Sequence, residues 1–150
     1  MKAIIADTSC LIIYDKIDRL GILQEMFPDL MVTTEVANEF GELPGWITIQ
    51  EVIEQEAYKK LAEELGKGEA SSIALALEFE ECLLIIDERK GRKIAEDLGI
   101  NTIGSLGILI KAKEKGVINE VREILELIDR TDFRIAQSVR EAVLKQSGEL

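Results

Sequence analysis

Four carboxylates stand where short sequence patterns allow chemistry: Asp7, Glu39, Glu69 and Asp87. Asp7 and Asp87 each end a short apolar, β-leaning run, KAIIAD at 2–7 and CLLIID at 82–87, that gives way to a helical pattern. Neither run alternates apolar with polar residues, so each reads as a strand buried on both faces of a parallel sheet covered by helices. Ligands of such sheets bind outside the carboxyl ends of the strands, which brings the two aspartates side by side at a ligand site. Two anions that close repel each other unless a proton or a cation stands between them.

Other acids can join them. Glu35 and Glu39 are one helical turn apart and share a face. Glu35 falls in the first turn, where a carboxylate is explained by the helix dipole; Glu39 lies toward the far end, where a negative charge gains nothing from it, which favours Glu39 as the functional member. Glu69 opens a helix just after Gly68, where dipole stabilisation is again the plain alternative, and for Asp7 and Asp87 that alternative is N-capping. Taken together, three or four carboxylates with no His or Cys beside them form an oxygen-rich set suited to Mg²⁺ or Mn²⁺ rather than zinc. The reaction class that follows is metal-assisted phosphodiester hydrolysis. The segment ERKGRK directly after Asp87 supplies cations, of which Arg89 and Arg92 are candidates to meet substrate phosphates; a solvated helix face is the alternative. Ser105 reads first as a helix N-cap and second as a substrate contact, since Gly104, Ser105 and Gly107 lack the Lys-Ser/Thr ending of a phosphate-binding loop.

Composition narrows the chemistry further. The 150 residues contain no histidine, which removes Ser-His-Asp and Cys-His nucleophiles and imidazole bases together. A net charge of −11 argues against nucleic-acid binding through the whole surface and leaves room for a local site. The two cysteines, Cys10 and Cys82, match no metal spacing and read as reduced core thiols. The early apolar run is interrupted at Asp7 without a cleavage site, and no run is long enough to span a membrane, so a cytoplasmic protein is expected.

The elements that must position these groups form an alternation of strands and helices. Besides the two aspartate-terminated strands, Leu30 to Val32, Trp46 to Ile49 and Asn101 to Ile103 read as strands. Asp18 is expected to cap a helix from Arg19 to Met26, Thr33 or Thr34 one through about Phe40, and further helices are expected over 54–65, 69–80, 88–98, from 104–107 to near Gly116, 118–128 and 135–146. With no linker or repeat, residues 1–150 are expected to make one α/β domain, a three-layer sandwich about a central, mainly parallel sheet.

The ordered segments DTSCLI, TTEVANEF, GKGEASSIALALE and LLIIDERKGRKIAEDLGINTIGSLGILIKAKEKGVI resemble the PIN-domain superfamily. The likeness is nearest to small prokaryotic single-domain PIN proteins described as predicted nucleic-acid-binding proteins, relatives of VapC-type toxins. The ending FRIAQSVREAVLKQSGE is similar to the tail of that subgroup, so the likeness runs over nearly the whole chain. It implies a PIN-like α/β/α sandwich and a Mg²⁺- or Mn²⁺-dependent endoribonuclease, with Asp7, Glu39, Glu69 and Asp87 as the acids and Ser9 as the small polar residue supporting the metal site. It also implies RNA as substrate, a small antitoxin as partner and a homodimer. Position 72, where relatives carry another acid, is Ser, a departure that bears on a second metal site. Two other classes compete: a PIN-like module that binds RNA or protein with little or no cleavage, and a phosphatase phosphorylated at Asp7, which the Ser at position 9 disfavours because such enzymes carry a second acid there.

Overall fold

Ile4 and Ile5, flanked by alanines, extend as β1 (Ala3–Ala6) at the centre of a five-stranded sheet in the computed structural model, which describes residues 2–150. The chain continues through α1 (Thr8–Lys16), α2 (Leu20–Met26), β2 (Met31–Thr33), α3 (Thr34–Phe40), β3 (Thr48–Gln50), α4 (Gln55–Ala62) and α5 (Lys67–Ala76). It then runs through β4 (Cys82–Ile85), α6 (Arg89–Asp97), β5 (Asn101–Ile103), α7 (Ser105–Glu114), α8 (Val121–Asp129) and α9 (Gln137–Gln146). All pairings are parallel, in the order β3-β2-β1-β4-β5. Strand order therefore reverses between β1 and β4, the point at which open α/β sheets hold ligands.

Successive side chains on each strand point to opposite faces, and both faces are apolar. Ala6, Val32, Ile85 and Ile103 pack with α1, α2, α7, α8 and α9 on one side. Ala3, Ile5, Cys82, Leu84 and Ile86 pack with α5 and α6 on the other, under a partial cover from α4. Ile5, Leu84 and Ile86 are fully buried, and each such side chain stabilises the fold by about 1.5–3 kcal/mol. This is the three-layer α/β/α sandwich that the non-alternating strands predict. Both free cysteines are buried in it.

The element starts differ from the sequence-based expectations in instructive ways. Asp18 does not cap α2; it adopts the left-handed backbone (φ 58°) that Asp tolerates, and Arg19 takes the N-cap position without a side-chain bond. The helix expected from Glu69 begins at Lys67, which puts Gly68 inside it. The edge strand expected from Trp46 begins at Thr48. Thr33 does cap α3, accepting from the Val36 N–H at 3.1 Å, and its hydroxyl also meets the Ser71 hydroxyl at 2.7 Å. That buried pair fixes α3 against α5, and Ser71 in turn donates to the Gly68 carbonyl. The C-terminal helices are tied by Glu149, which accepts from the backbone N–H groups of Val121 and Arg122 and pairs with Lys113 at 2.9 Å.

Candidate active site

The β1 ladder continues one residue past the strand, with Asp7 N–H donating to the Ile85 carbonyl at 2.9 Å. Asp7 is thereby delivered, 4% exposed, to the carboxyl edge beside β4. It occupies the N-cap position of α1, yet its carboxylate makes no capping bond. The capping explanation of Asp7 thus fails. The next residue, Thr8, donates its hydroxyl to Glu39 Oε1 at 2.7 Å, which carries the acid of α3 toward Asp7.

Gly68 makes that approach possible. A Cβ at this position would lie 2.2 Å from Glu39 Oε1, 3.0 Å from Thr8 Oγ1 and 3.1 Å from Asp7 Oδ1, so three oxygens, two from the start of α1 and one from α3, converge on the space a side chain would fill. One residue on, Glu69 borders the same cleft of about 300 Å³, with Asp7, Thr8, Ser9, Ile12, Glu39 and Gly66. Its Oε2 is buried without a hydrogen-bond partner, and a Cβ on Gly91 would sit 2.8 Å from that atom. Ser72 is fully buried, its hydroxyl donating to the Gly68 carbonyl at 2.7 Å.

Asp87 is held from the other side of the switch point. Its Oδ1 accepts from the Ser105 N–H at 2.7 Å and its Oδ2 from the Ser105 hydroxyl at 2.6 Å. The N-cap of α6 is Glu88 instead, which accepts from Lys90 and Gly91 N–H groups. Ser105 is correspondingly not an N-cap: Gly104 holds that position in α7, and both donors of the buried Ser105 go to Asp87. Ser105 is itself fixed from beneath by the buried Tyr14, whose hydroxyl donates to its carbonyl at 2.8 Å.

Burial and mutual repulsion govern the titration of this cluster. Burial, followed by the charges of Glu69, Glu39 and Asp87, pushes Asp7 from 3.8 up to about 7 against one backbone hydrogen bond from Thr8. Glu69 is raised by burial and then by Glu88, whereas Glu88 is lowered by the Gly91 and Lys90 N–H groups. Burial also raises the Cys10 thiol and the Tyr14 phenol, which keeps both neutral beside the acids.

The candidate substrate contacts divide. Ser9 is exposed in the carboxylate cleft. Arg89 and Arg92 line a second, larger cleft of about 810 Å³ that runs between α6, β5 and α7; Asp87 borders this cleft and not the one lined by Asp7, Glu39 and Glu69. Gly104 lets Arg92 and Asp87 come together, since a Cβ there would lie 3.0 Å from an atom of each. Sequence reasoning passed over Thr8, Tyr14 and Glu88. Thr8 and Tyr14 carry no local sequence signal for these roles, since their partners lie 31 and 91 residues away.

Among the described residues, no group of three or more His, Cys, Asp or Glu side chains stands at metal-holding spacing. Glu39 and Asp87 are engaged by Thr8 and Ser105 hydrogen bonds instead. The chemistry of the donors nevertheless fits a hard divalent cation: they are all oxygen, one buried oxygen has no partner, and Gly68 leaves a space that oxygens surround.

A parallel α/β/α sandwich with Asp7 and Asp87 on the two strands that flank the switch point defines the class of doubly wound α/β proteins. Within it, the PIN domain family profile matches residues 3–149, and the chain belongs to that family. Its fold is therefore of nuclease type. No curated protein matches the chain significantly.

Proposed function

We propose that the chain is a metal-dependent ribonuclease that hydrolyses RNA phosphodiester bonds at Asp7, Glu39, Glu69 and Asp87, with Mg²⁺ or Mn²⁺ as cofactor. One observation carries this reading: the Asp7 carboxylate is buried, free of any capping bond, and converges with Thr8 and Glu39 on the space at Gly68. A bound divalent cation would neutralise these acids and supply Lewis-acid stabilisation to a phosphate. Asp7, Glu39 and Glu69 would hold it from the β1 side, and Asp87 from the β4 side. Ser105 orients Asp87, and Arg89 and Arg92 bind backbone phosphates along the adjoining cleft. Ser9 is the polar group at the mouth. The similarity of the ordered motifs to VapC relatives supports two extensions, a small antitoxin as partner and a homodimeric assembly.

A second reading, an RNA-binding PIN module with little or no cleavage, is favoured by the lack of three acids at metal-holding spacing among the described residues. Cleavage of a mixed single-stranded and structured RNA pool with Mg²⁺, Mn²⁺ or EDTA separates the two. Metal-dependent cleavage that is lost in both Asp7→Asn and Asp87→Asn supports the nuclease. RNA binding without cleavage, unaltered by Mn²⁺, supports the module.

A further inference from the structure

Beside the carboxylate cleft lies a groove of about 270 Å³ between α1 and the loop that joins α8 to α9, lined by Ser9, Ile12, Ile13, Lys16, Asp132 and Phe133 among others. Ser9 and Ile12 also line the cleft that holds Asp7, Glu39 and Glu69, so the two spaces adjoin across these residues. Ile12 and Phe133 are 39% and 36% exposed, an apolar pair at the surface next to the acids. The loop is built to present the ring. Lys16 on α1 grips Asp132 at 2.6 Å, the Phe133 N–H donates to the Thr131 hydroxyl, and that hydroxyl donates to the Ile128 carbonyl.

The sequence of this loop, RTDFR, brackets the aromatic ring with arginines. Neither Arg130 nor Arg134 forms an ion pair among the described residues, although carboxylates outnumber cations 29 to 18. An exposed ring between unpaired arginines is the combination that binds single-stranded nucleic acid, the ring stacking on a base while the cations meet phosphates. We propose that Phe133, with Ile12, forms a stacking subsite for a nucleobase of the RNA that lies at the carboxylates. This rests on the ribonuclease reading above. Unpaired arginines favour a polyanion over a second protein surface as the occupant.

The test reads binding apart from turnover. In an Asp7→Asn background, affinity for a labelled single-stranded oligoribonucleotide is measured by fluorescence anisotropy, with Phe133→Ala and Phe133→Tyr added. Loss of one base stack should weaken binding by about tenfold in Phe133→Ala and by no more than about twofold in Phe133→Tyr. A matching oligomer of abasic residues should bind all three proteins alike. Equal affinity of Phe133→Ala and its parent for the base-containing oligomer would overturn the subsite and leave the nuclease reading intact, because that reading is judged by wild-type cleavage. A shift in the sedimentation of the chain, with RNA affinity unchanged, would show a contact between copies and overturn the subsite equally.

Discussion

Asp7 carries a carboxyl whose charge is opposed by burial and by neighbouring acids, and the proposed chemistry rests on it. Raised from 3.8 to about 7, its carboxyl binds a proton more tightly in the folded than in the unfolded chain. Between those values, the metal-free protein must lose stability as pH rises, because the unfolded chain releases this proton while the native state still holds it. Asp7→Asn removes the charge and keeps the shape. Its melting temperature should exceed that of wild type at pH 8, by a stability difference of roughly 1–4 kcal/mol, and the gap should close toward pH 4. Thermal melts in EDTA across that range check this; a gap that does not vary with pH would sink the account. Adding Mn²⁺ should then raise the melting temperature of wild type and not of Asp7→Asn. Ser105 offers a second test at this scale. Ser105→Ala removes one of two donors to Asp87, and Tyr14→Phe removes the hydroxyl that fixes the Ser105 carbonyl. Both should reduce Mn²⁺ affinity, by about 10–100-fold for Ser105→Ala and less for Tyr14→Phe, with circular dichroism unchanged. Wild-type calorimetric affinity in Ser105→Ala would show that Asp87 needs no such orientation.

At the scale of elements, the site is a meeting of α1, α3 and α5, and Gly68 sets how close they come. A methyl group there meets side-chain ends, chiefly Glu39 Oε1, so Gly68→Ala should fold while Glu39 swings away from Asp7. Cleavage should fall by about tenfold or more, as expected when a group positioned for reaction is displaced by about an ångström. Retained activity in Gly68→Ala, assayed with Mn²⁺, would remove Glu39 from the site. The sequence made the strands legible because β1 and β4 are short, doubly buried and terminated by Asp, and the parallel order followed from the helices between them. The helix dipole favours Glu39 over Glu35 as the functional member, and in the fold Glu39 meets Thr8 while Glu35 keeps a buried oxygen without a partner. What the sequence could not convey was which donor each acid would meet. That Thr8 holds Glu39, and that Ser105 serves Asp87 rather than its own helix, depends on contacts 31 and 18 residues apart. Those contacts are set by how α3 and α7 lie on the sheet. α5 starts at Lys67, two residues before the expected Glu69, because Gly68 sits inside the first turn, where it leaves room for neighbouring oxygens.

Over the whole molecule, a charge of −11 sets a condition on any polyanionic substrate: cations must be concentrated where it lies. α6 meets that condition. Arg89, Arg92 and Lys93 line the cleft of about 810 Å³ that opens from Asp87, while the ion pair of Lys93 with Asp97 is exposed and long at 3.6 Å. An exposed pair of this kind is weak and leaves Lys93 able to turn to a phosphate. If RNA crosses this cleft, its affinity must carry the signature of counterion release, with log affinity falling linearly against log salt by about 0.7 per phosphate neutralised on a single strand. Reversing Arg89 and Arg92 to Glu should therefore weaken binding and reduce the slope by about 1.4, the contribution of two contacts. Anisotropy titrations between low and moderate salt measure both quantities on the same samples. A uniform loss of affinity with an unchanged slope would place the phosphates elsewhere on the protein. A reduced slope would instead draw the path of the strand from the carboxylates across α6.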